Sequence, residues 1–352
     1  MAEEKIIPEA EEAKVEKTEK KKGKGGLLGI IIAAAVVVVA IIALVIVAIV
    51  SDSGAVAAYK EGVDLKKQEQ AGYEELFEEA YAKSRWALFM GKDNKNTILE
   101  QYILEVLCKS GRYFEAADLL EDADMSEAKK KTIYAQNSEL GMCKKGSIVT
   151  FGTLEQDGDL TTLNEPLEWI VLDVVEVDGK MQALLMTKNV VGELTNGYAP
   201  VTGGNDTSYA KSGLHAYCES FVEKLIQADQ SMRGKFVQTT ITTAASSDGS
   251  SSGADVKAYG FAPSKEDLDK YMTGDLAQYV KASATANAKK NGVTARGADR
   301  WAGYFLRNSG NVVDNQQRAS SIGQDGAFYE DTIRNSTTVG ARVCVVVNLG
   351  TK

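Results

Sequence analysis

Few residues in this 352-residue chain combine a reactive side chain with a placement that could do chemistry. The single histidine, His215, would need a serine and an acid to form a nucleophilic triad. No Gly-x-Ser-x-Gly elbow is present, and a lone histidine in a helix is ordinarily structural or solvent-facing. The four cysteines, Cys108, Cys143, Cys218 and Cys344, form no Cys-x-x-Cys pair, so a structural zinc site is not expected. Their even number permits disulfides outside the cytoplasm, and buried free thiols fit equally well. Cys108 and Cys143 both fall in a helical stretch and could meet across a hairpin. Glu168 and Asp173 could be imagined as an acid–base pair. In a strand, residues five apart project to opposite faces, so both are expected to be structural. Asp206, Asp248 and Asp255 lie among Asn, Ser and Gly, yet lack the 1, 3, 5 spacing and closing Glu of a calcium loop. No catalytic constellation emerges, and nothing calls for a metal or a cofactor.

Arg307 and Arg342 adjoin apolar stretches that should be buried. A buried guanidinium needs a carboxylate or several carbonyls for its five donors, so partners such as Glu168 or Asp173 are expected. Arg342, Glu168, Trp169 and Asp173 are read as structural. The segment 308–338 is rich in Asn, Gln, Ser, Thr and Asp, with two aromatics among them. Short polar side chains around a few aromatics suit an adaptable binding surface. Its candidate ligand contacts are Arg307, Asn308, Asn311, Gln324, Asp325, Phe328, Tyr329 and Arg334; the alternative is a long solvated loop.

The elements that must position these residues begin with an anchor. Residues 27–50 read LLGIIIAAAVVVVAIIALVIVAIV, without a charged or polar side chain. As a helix they would rise roughly 36 Å, enough to cross a hydrocarbon core of about 30 Å. A signal peptide is the rival reading, but its apolar region runs about 7–15 residues. Lys14, Lys17, Lys20, Lys21, Lys22 and Lys24 precede the segment, and the first lysine after it is Lys60. Positive charge stays cytoplasmic, so the N-terminus is expected inside and the rest outside, as a single-pass protein of the cell membrane. Residues 1–26 are expected to be a disordered tail with seven Lys and seven acidic residues, so the net charge of −9 belongs to the exported part. Such acidity argues against nucleic acid as a partner.

Residues 51–145 look helical, with Tyr73, Leu76, Phe77, Ala80, Tyr81 and Leu88 at helical spacing. Around Gly111, Tyr113, Ala116, Ala117 and Leu120 they resemble one tetratricopeptide-type hairpin, where Gly permits the turn and Ala close approach. From Gly146 the pattern becomes strand-like, with strands expected at 148–151, 167–177 and 181–187 and an Asp178-Gly179 hairpin turn between the latter two. Helices are expected at 212–226, 265–272 and 277–290, a flexible polar loop at 244–255, and a final strand at 342–349. The last unit is 146–352.

Four blocks of that unit resemble a bacterial family known only as domain of unknown function 6273. They are GSIVTFG at 146–152 with Glu155-Gln156-Asp157, EPLEWIVLD at 165–173, the helix from Ser212-Gly213-Leu214 to Phe221, and YFLRNSG at 304–310 with VGAR at 339–342. His215, Cys218 and Val343 stand where the family prefers Arg, Trp and Pro, so the helix block is the weakest match. The family is often preceded by a membrane helix and tetratricopeptide-like segments. Its closing blocks look like those of C-type-lectin-like domains. The resemblance therefore implies an α+β, lectin-like fold, a small twisted, mainly antiparallel sheet with long loops. It assigns no catalytic residues. Thr162-Leu163-Asn164-Glu165-Pro166 is superficially similar to a lectin calcium motif but falls in the family's opening strand. Related sulfatase-modifying enzymes need paired cysteines, for which Cys218 and Cys344 are the candidates here. The expected function is a non-catalytic bacterial surface domain binding an extracellular protein or glycan. The alternatives are an extracytoplasmic enzyme of the sulfatase-modifying fold and an envelope scaffold acting through the helical stalk.

Overall fold

The computed structural model describes residues 25–192, 194, 197–199, 208–243, 245–248 and 253–350, with side chains from residue 37 onward. The expected N-terminal tail up to residue 24, Asp206 and part of the polar loop 244–255 lie outside the described residues.

One helix, α1 (Gly25–Lys67), carries the apolar segment and continues without interruption beyond it. From Val37 to Val50 the large apolar side chains are exposed, leaving no polar face. The helix is long and apolar enough to cross a membrane. Ser51, Asp52, Ser53 and Gly54 do not break it; the Ser53 hydroxyl donates to the Ile49 and Val50 carbonyls of the preceding turn. The apolar segment and the first stalk helix are thus one rod.

α2 (Tyr73–Ser84) folds back along α1, and α3 (Lys92–Gln101) runs into a π-helical turn, Tyr102–Leu107. Gly111, at φ 76°, makes the tight bend into α4 (Tyr113–Asp122), followed by α5 (Glu127–Ala135) and α6 (Ser138–Met142). Ile103, Leu107, Ala116, Ala117, Leu120 and Ile133 form the core of this part. Leu88, expected on the apolar stripe, is instead exposed, because α2 ends at Ser84 and the chain turns.

The strands follow as β1 (Ile148–Leu154), β2 (Glu165–Val177) and β3 (Lys180–Thr187). Asp178 and Gly179, at φ 51° and 73°, make the two-residue turn between β2 and β3. After α7 (Gly213–Ala228) come β4 (Thr239–Thr242), β5 (Asp255–Ala258), β6 (Gly260–Phe261) and α8 (Lys265–Tyr271). The helix expected over 277–290 is replaced by a 3-10 turn (Gly274–Val280), the short β7 (Ala282–Ser283) and α9 (Ala286–Lys290). The 3-10 turn ends at Val280, where the Lys281 backbone is extended, and Thr285 caps a new helix. β8 (Ala295–Arg296), β9 (Trp301–Ala302), β10 (Tyr304–Val313), β11 (Gln316–Ile322), β12 (Phe328–Ile333) and β13 (Cys344–Gly350) complete the chain.

The architecture is α+β. A five-stranded antiparallel sheet has the order β1-β2-β3-β13-β6, beside small antiparallel sheets β10-β11-β12, β4-β5 and β7-β9-β8. Segment 308–338, whose alternative reading is a long loop, is mostly a meander. Asp314 and Asn315, at φ 51° and 59°, supply the primed turn that lets β11 fold onto β10. Trp169 sits at the centre of the main core, fully buried, with Nε1–H donating to the Phe151 carbonyl and its ring edge-on to Phe221 of α7. Phe114 and Met142 of the helical part belong to this same core, so the two parts share buried surface.

Trp169→Ala removes a fully buried ring and a buried hydrogen bond. It is expected to cost about 3–5 kcal/mol. Leu163→Ala, at a side chain 91% exposed, should change stability by less than about 0.5 kcal/mol. Guanidinium unfolding followed by near-ultraviolet circular dichroism checks both.

Candidate functional site

β10 to β12 present a cavity of about 410 Å³, lined by polar and apolar groups in about equal measure, on the surface of the meander. Its floor is Ser321 and Ile322 at the end of β11, and its walls are the 323–325 turn, Tyr329 and Thr332 of β12, and Arg296 of β8. The turn is built by backbone. Gly323 N–H donates to the Ala327 carbonyl at 2.8 Å, and Gly326, at φ 84°, donates to the Gly323 carbonyl at 3.0 Å. A Cβ on Gly323 would lie 2.6 Å from the Tyr329 ring and 2.7 Å from Asp325 Oδ1, so only glycine permits this approach.

The polar groups are fixed in turn. Asp325 accepts the Tyr329 hydroxyl on Oδ2 at 2.7 Å and the Ala327 N–H on Oδ1 at 3.0 Å. The Tyr329 hydroxyl first, and that N–H second, hold the Asp325 carboxyl below its ordinary range, while the same pairing pushes the Tyr329 phenol up. Asp325 is therefore an anion and Tyr329 a neutral ring at neutral pH. Gln324 Nε2 donates to the Thr294 carbonyl, and the hydroxyls of Ser321 and Thr332 lie 2.6 Å apart. The arrangement offers an aromatic face, an anion, a guanidinium and hydroxyls around one hollow.

Of the residues expected to contact ligand, Gln324, Asp325 and Tyr329 line this cavity. Phe328 lies beneath the Lys265 ammonium, and Asn311 accepts from the Ser247 hydroxyl and the Asp248 N–H. Arg334 reaches Gln317 at 3.4 Å, while its carbonyl accepts from the N–H groups of Tyr198 and Ala199. Arg307 and Asn308 are buried and hold α8 in place. Arg307 donates to the Thr242 and Ala262 carbonyls and pairs with Asp267; Asn308 donates to Glu266 and accepts from the Lys265 N–H.

The carboxylates expected to serve the arginines do otherwise. Glu168 pairs with Lys188 at the surface, and Asp173 is half-buried on the far side of a bulge in β2. Because Val171 pairs with Leu185 but Asp173 with Leu184, the alternation slips by one and Asp173 returns to the face of Glu168. Arg342 is fully buried without a carboxylate. It donates to the Thr187 and Tyr279 carbonyls and lies over the Tyr304 ring, and Nη2 finds no partner among the described residues.

His215 packs against Tyr209 with Nδ1 buried and without a partner among the described residues, and burial pushes its pKa down. The nearby Glu219 carboxylate is occupied by the Tyr259 and Gly260 N–H groups, and no triad forms around this histidine among the described residues. All four cysteines are free, although Cys143 packs against the cluster that holds Cys108. Burial pushes the Cys108 and Cys143 thiols up to about 12 and raises those of Cys218 and Cys344 further.

Sequence reasoning passed over two further features. Arg296 joins the cavity from a two-residue strand with no pattern to mark it. Glu155, Asp157 and Glu165 bring carboxylate oxygens within 4.8 Å of one another and could hold a cation. The spacing of Glu155 and Asp157 before Glu165 was a signal for it. Those oxygens already accept backbone N–H groups, Glu165 from Gln156 and Asp157, and Glu155 from Gly158. A larger cleft of about 670 Å³ separates α5 from the Gly274–Val280 turn. Two of its three lysines are engaged by neighbours, Lys144 by Glu121 and Lys145 over the Tyr271 ring; Lys131 is the third.

Set against known proteins, the chain matches no family model, no curated protein and no solved structure.

Since the thiolate is the reactive form, native protein at pH 8 should label at none of its cysteines on the timescale of a free thiol. Half-buried Cys143 should react first, and all four should react at once in guanidinium. Titration with a chromogenic disulfide, with and without denaturant, checks this.

Proposed function

We propose that this chain is a single-pass bacterial surface protein whose extracytoplasmic C-terminal domain binds a hydroxyl-rich ligand, a glycan, in the meander cavity. The observation that carries the reading is the Tyr329 ring, 41% exposed yet pinned by Asp325, beside Gln324, Arg296 and Thr332. A held aromatic face loses little freedom when a sugar ring stacks on it, and the surrounding short polar groups meet its hydroxyls. The resemblance of residues 146–349 to domain of unknown function 6273, and through it to lectin-like domains, supports the same assignment. The lysines before the apolar segment support a cytoplasmic N-terminus, because positive charge is retained on that side. The sulfatase-modifying alternative is less well supported, because Cys218 and Cys344 are buried in the core.

The full-length protein in lipid nanodiscs, screened on an array of bacterial envelope glycans, is expected to bind a subset of them. Tyr329→Ala should weaken that binding roughly tenfold, about 1.4 kcal/mol, with the fold unchanged by circular dichroism. Equal binding by this variant and by Arg296→Ala would sink the assignment. The full chain is needed because Phe114 and Met142 lie in the domain's core, so cutting at residue 146 would open it. For orientation, protease added to intact spheroplasts should remove the C-terminal domain; protection of that domain would refute it.

A further inference from the structure

Three large apolar side chains stand in water between α2 and α3: Trp86, Leu88 and Phe89, exposed by 69%, 67% and 62%. They are not on a loose strand. Trp86 N–H donates to the Lys83 carbonyl and Ala87 N–H to the Ser84 carbonyl, while Ala87 itself is fully buried. The turn therefore holds its small residue inward and its large ones outward.

Their height along α1 says what covers them. α2 runs antiparallel to α1, and two close approaches fix the alignment. A Cβ on Gly62 would meet the Phe77 ring at 3.0 Å, and one on Gly54 would meet the Lys83 side chain at 3.1 Å. The chain thus leaves α2 level with Gly54, about 6 Å along the helix axis from Val50. It stays close to that level, because Phe89 and Met90 share one hollow with Asp52, Ser53, Val56, Ala57 and Lys60, the turns of α1 that follow the apolar segment. The apolar turn sits where the apolar segment of α1 ends. Tryptophan and phenylalanine favour the boundary between headgroups and acyl chains. Arg85, exposed beside the turn, would lie at the headgroups.

We propose that the 85–90 turn is a second membrane contact, with Trp86, Leu88 and Phe89 inserted into the outer leaflet of the bilayer that α1 crosses. It rests on the anchor reading above and adds to it. Two contacts on one rigid hairpin fix the tilt and rotation of the ectodomain, where a lone helix would leave it free to swivel.

Trp86 makes the test direct. Of the three tryptophans, Trp169 is fully buried and Trp301 partly buried in β9. The full-length protein is reconstituted into phosphatidylcholine vesicles with and without bromine at carbons 6 and 7 of the acyl chain, and floated on a gradient. The expected result is flotation with both lipids, loss of the Trp86 share of the emission in brominated lipid, and no such loss in Trp86→Phe. Flotation with emission equal in both lipids would overturn the proposal and leave the patch to a protein partner. Quenching that persists in Trp86→Phe would overturn it as well. Protein that fails to float would remove the anchor itself, and this contact with it.

Discussion

The main sheet is closed by the strand that comes last. β13 lies between β3 and β6, pairing with β3 from Cys344–Met186 to Gly350–Met181, so the chain that leaves β3 at Thr187 adds the edge strand β6 and returns only at Cys344 to fill the place between them. At the corner where it returns, Thr187 is shared. Its hydroxyl accepts the Val343 N–H, its carbonyl accepts Arg342 Nε, and its N–H donates to the Val343 carbonyl. The meander is tied to this pairing where Phe305 and Gly340 bond through Gly340 O and Gly303 O. A closure spanning some 150 residues is costly in entropy and slow to form, so the interior must reward it heavily once made. Trp169, Val171, Leu185, Val345 and Val347, all essentially inaccessible to water, provide that reward.

The two buried arginines belong to the same closure. Arg307 and Arg342 lie on the returning chain, and each donates to two backbone carbonyls. A carbonyl network ties several loops at once, which a carboxylate on one strand cannot do. Only Arg307 also has a charged partner, Asp267, at the N-terminus of α8, where Ser264 and Asp267 form a reciprocal cap. Arg342 carries its charge over the Tyr304 ring instead, with one nitrogen left over. An unsatisfied buried donor of this kind is a standing cost that a closely determined corner can hold.

The helical part is joined to the domain in the same manner, by shared burial rather than by a linker. α6 packs on β1, the Ser138 hydroxyl bonds the Thr150 carbonyl, and Lys235 pairs with Glu139 across the seam. Gly141 is pressed on by Val149, at 2.6 Å from where a Cβ would stand. With α1 continuous from the apolar segment into the α1–α2 hairpin, the apolar segment is connected to the domain through packed contacts.

Sequence alone carried the features set by local chemistry. The uncharged run that makes α1 apolar, the Asp178-Gly179 turn, β1 to β3, α7 and the final strand follow from periodicity and turn residues that act over a few positions. So did the polar character of 308–338. Tertiary structure decided what depends on distant partners. Asp267 rather than Glu168 meets Arg307, the bulge at Leu172 reverses a face, and Leu88 turns outward because α2 stops short. Arg296 comes to Tyr329 only because a two-residue strand lies beside the meander. Spacing along the chain cannot encode those contacts. Which buried groups meet is fixed by how the sheet closes, and that is a property of the whole core.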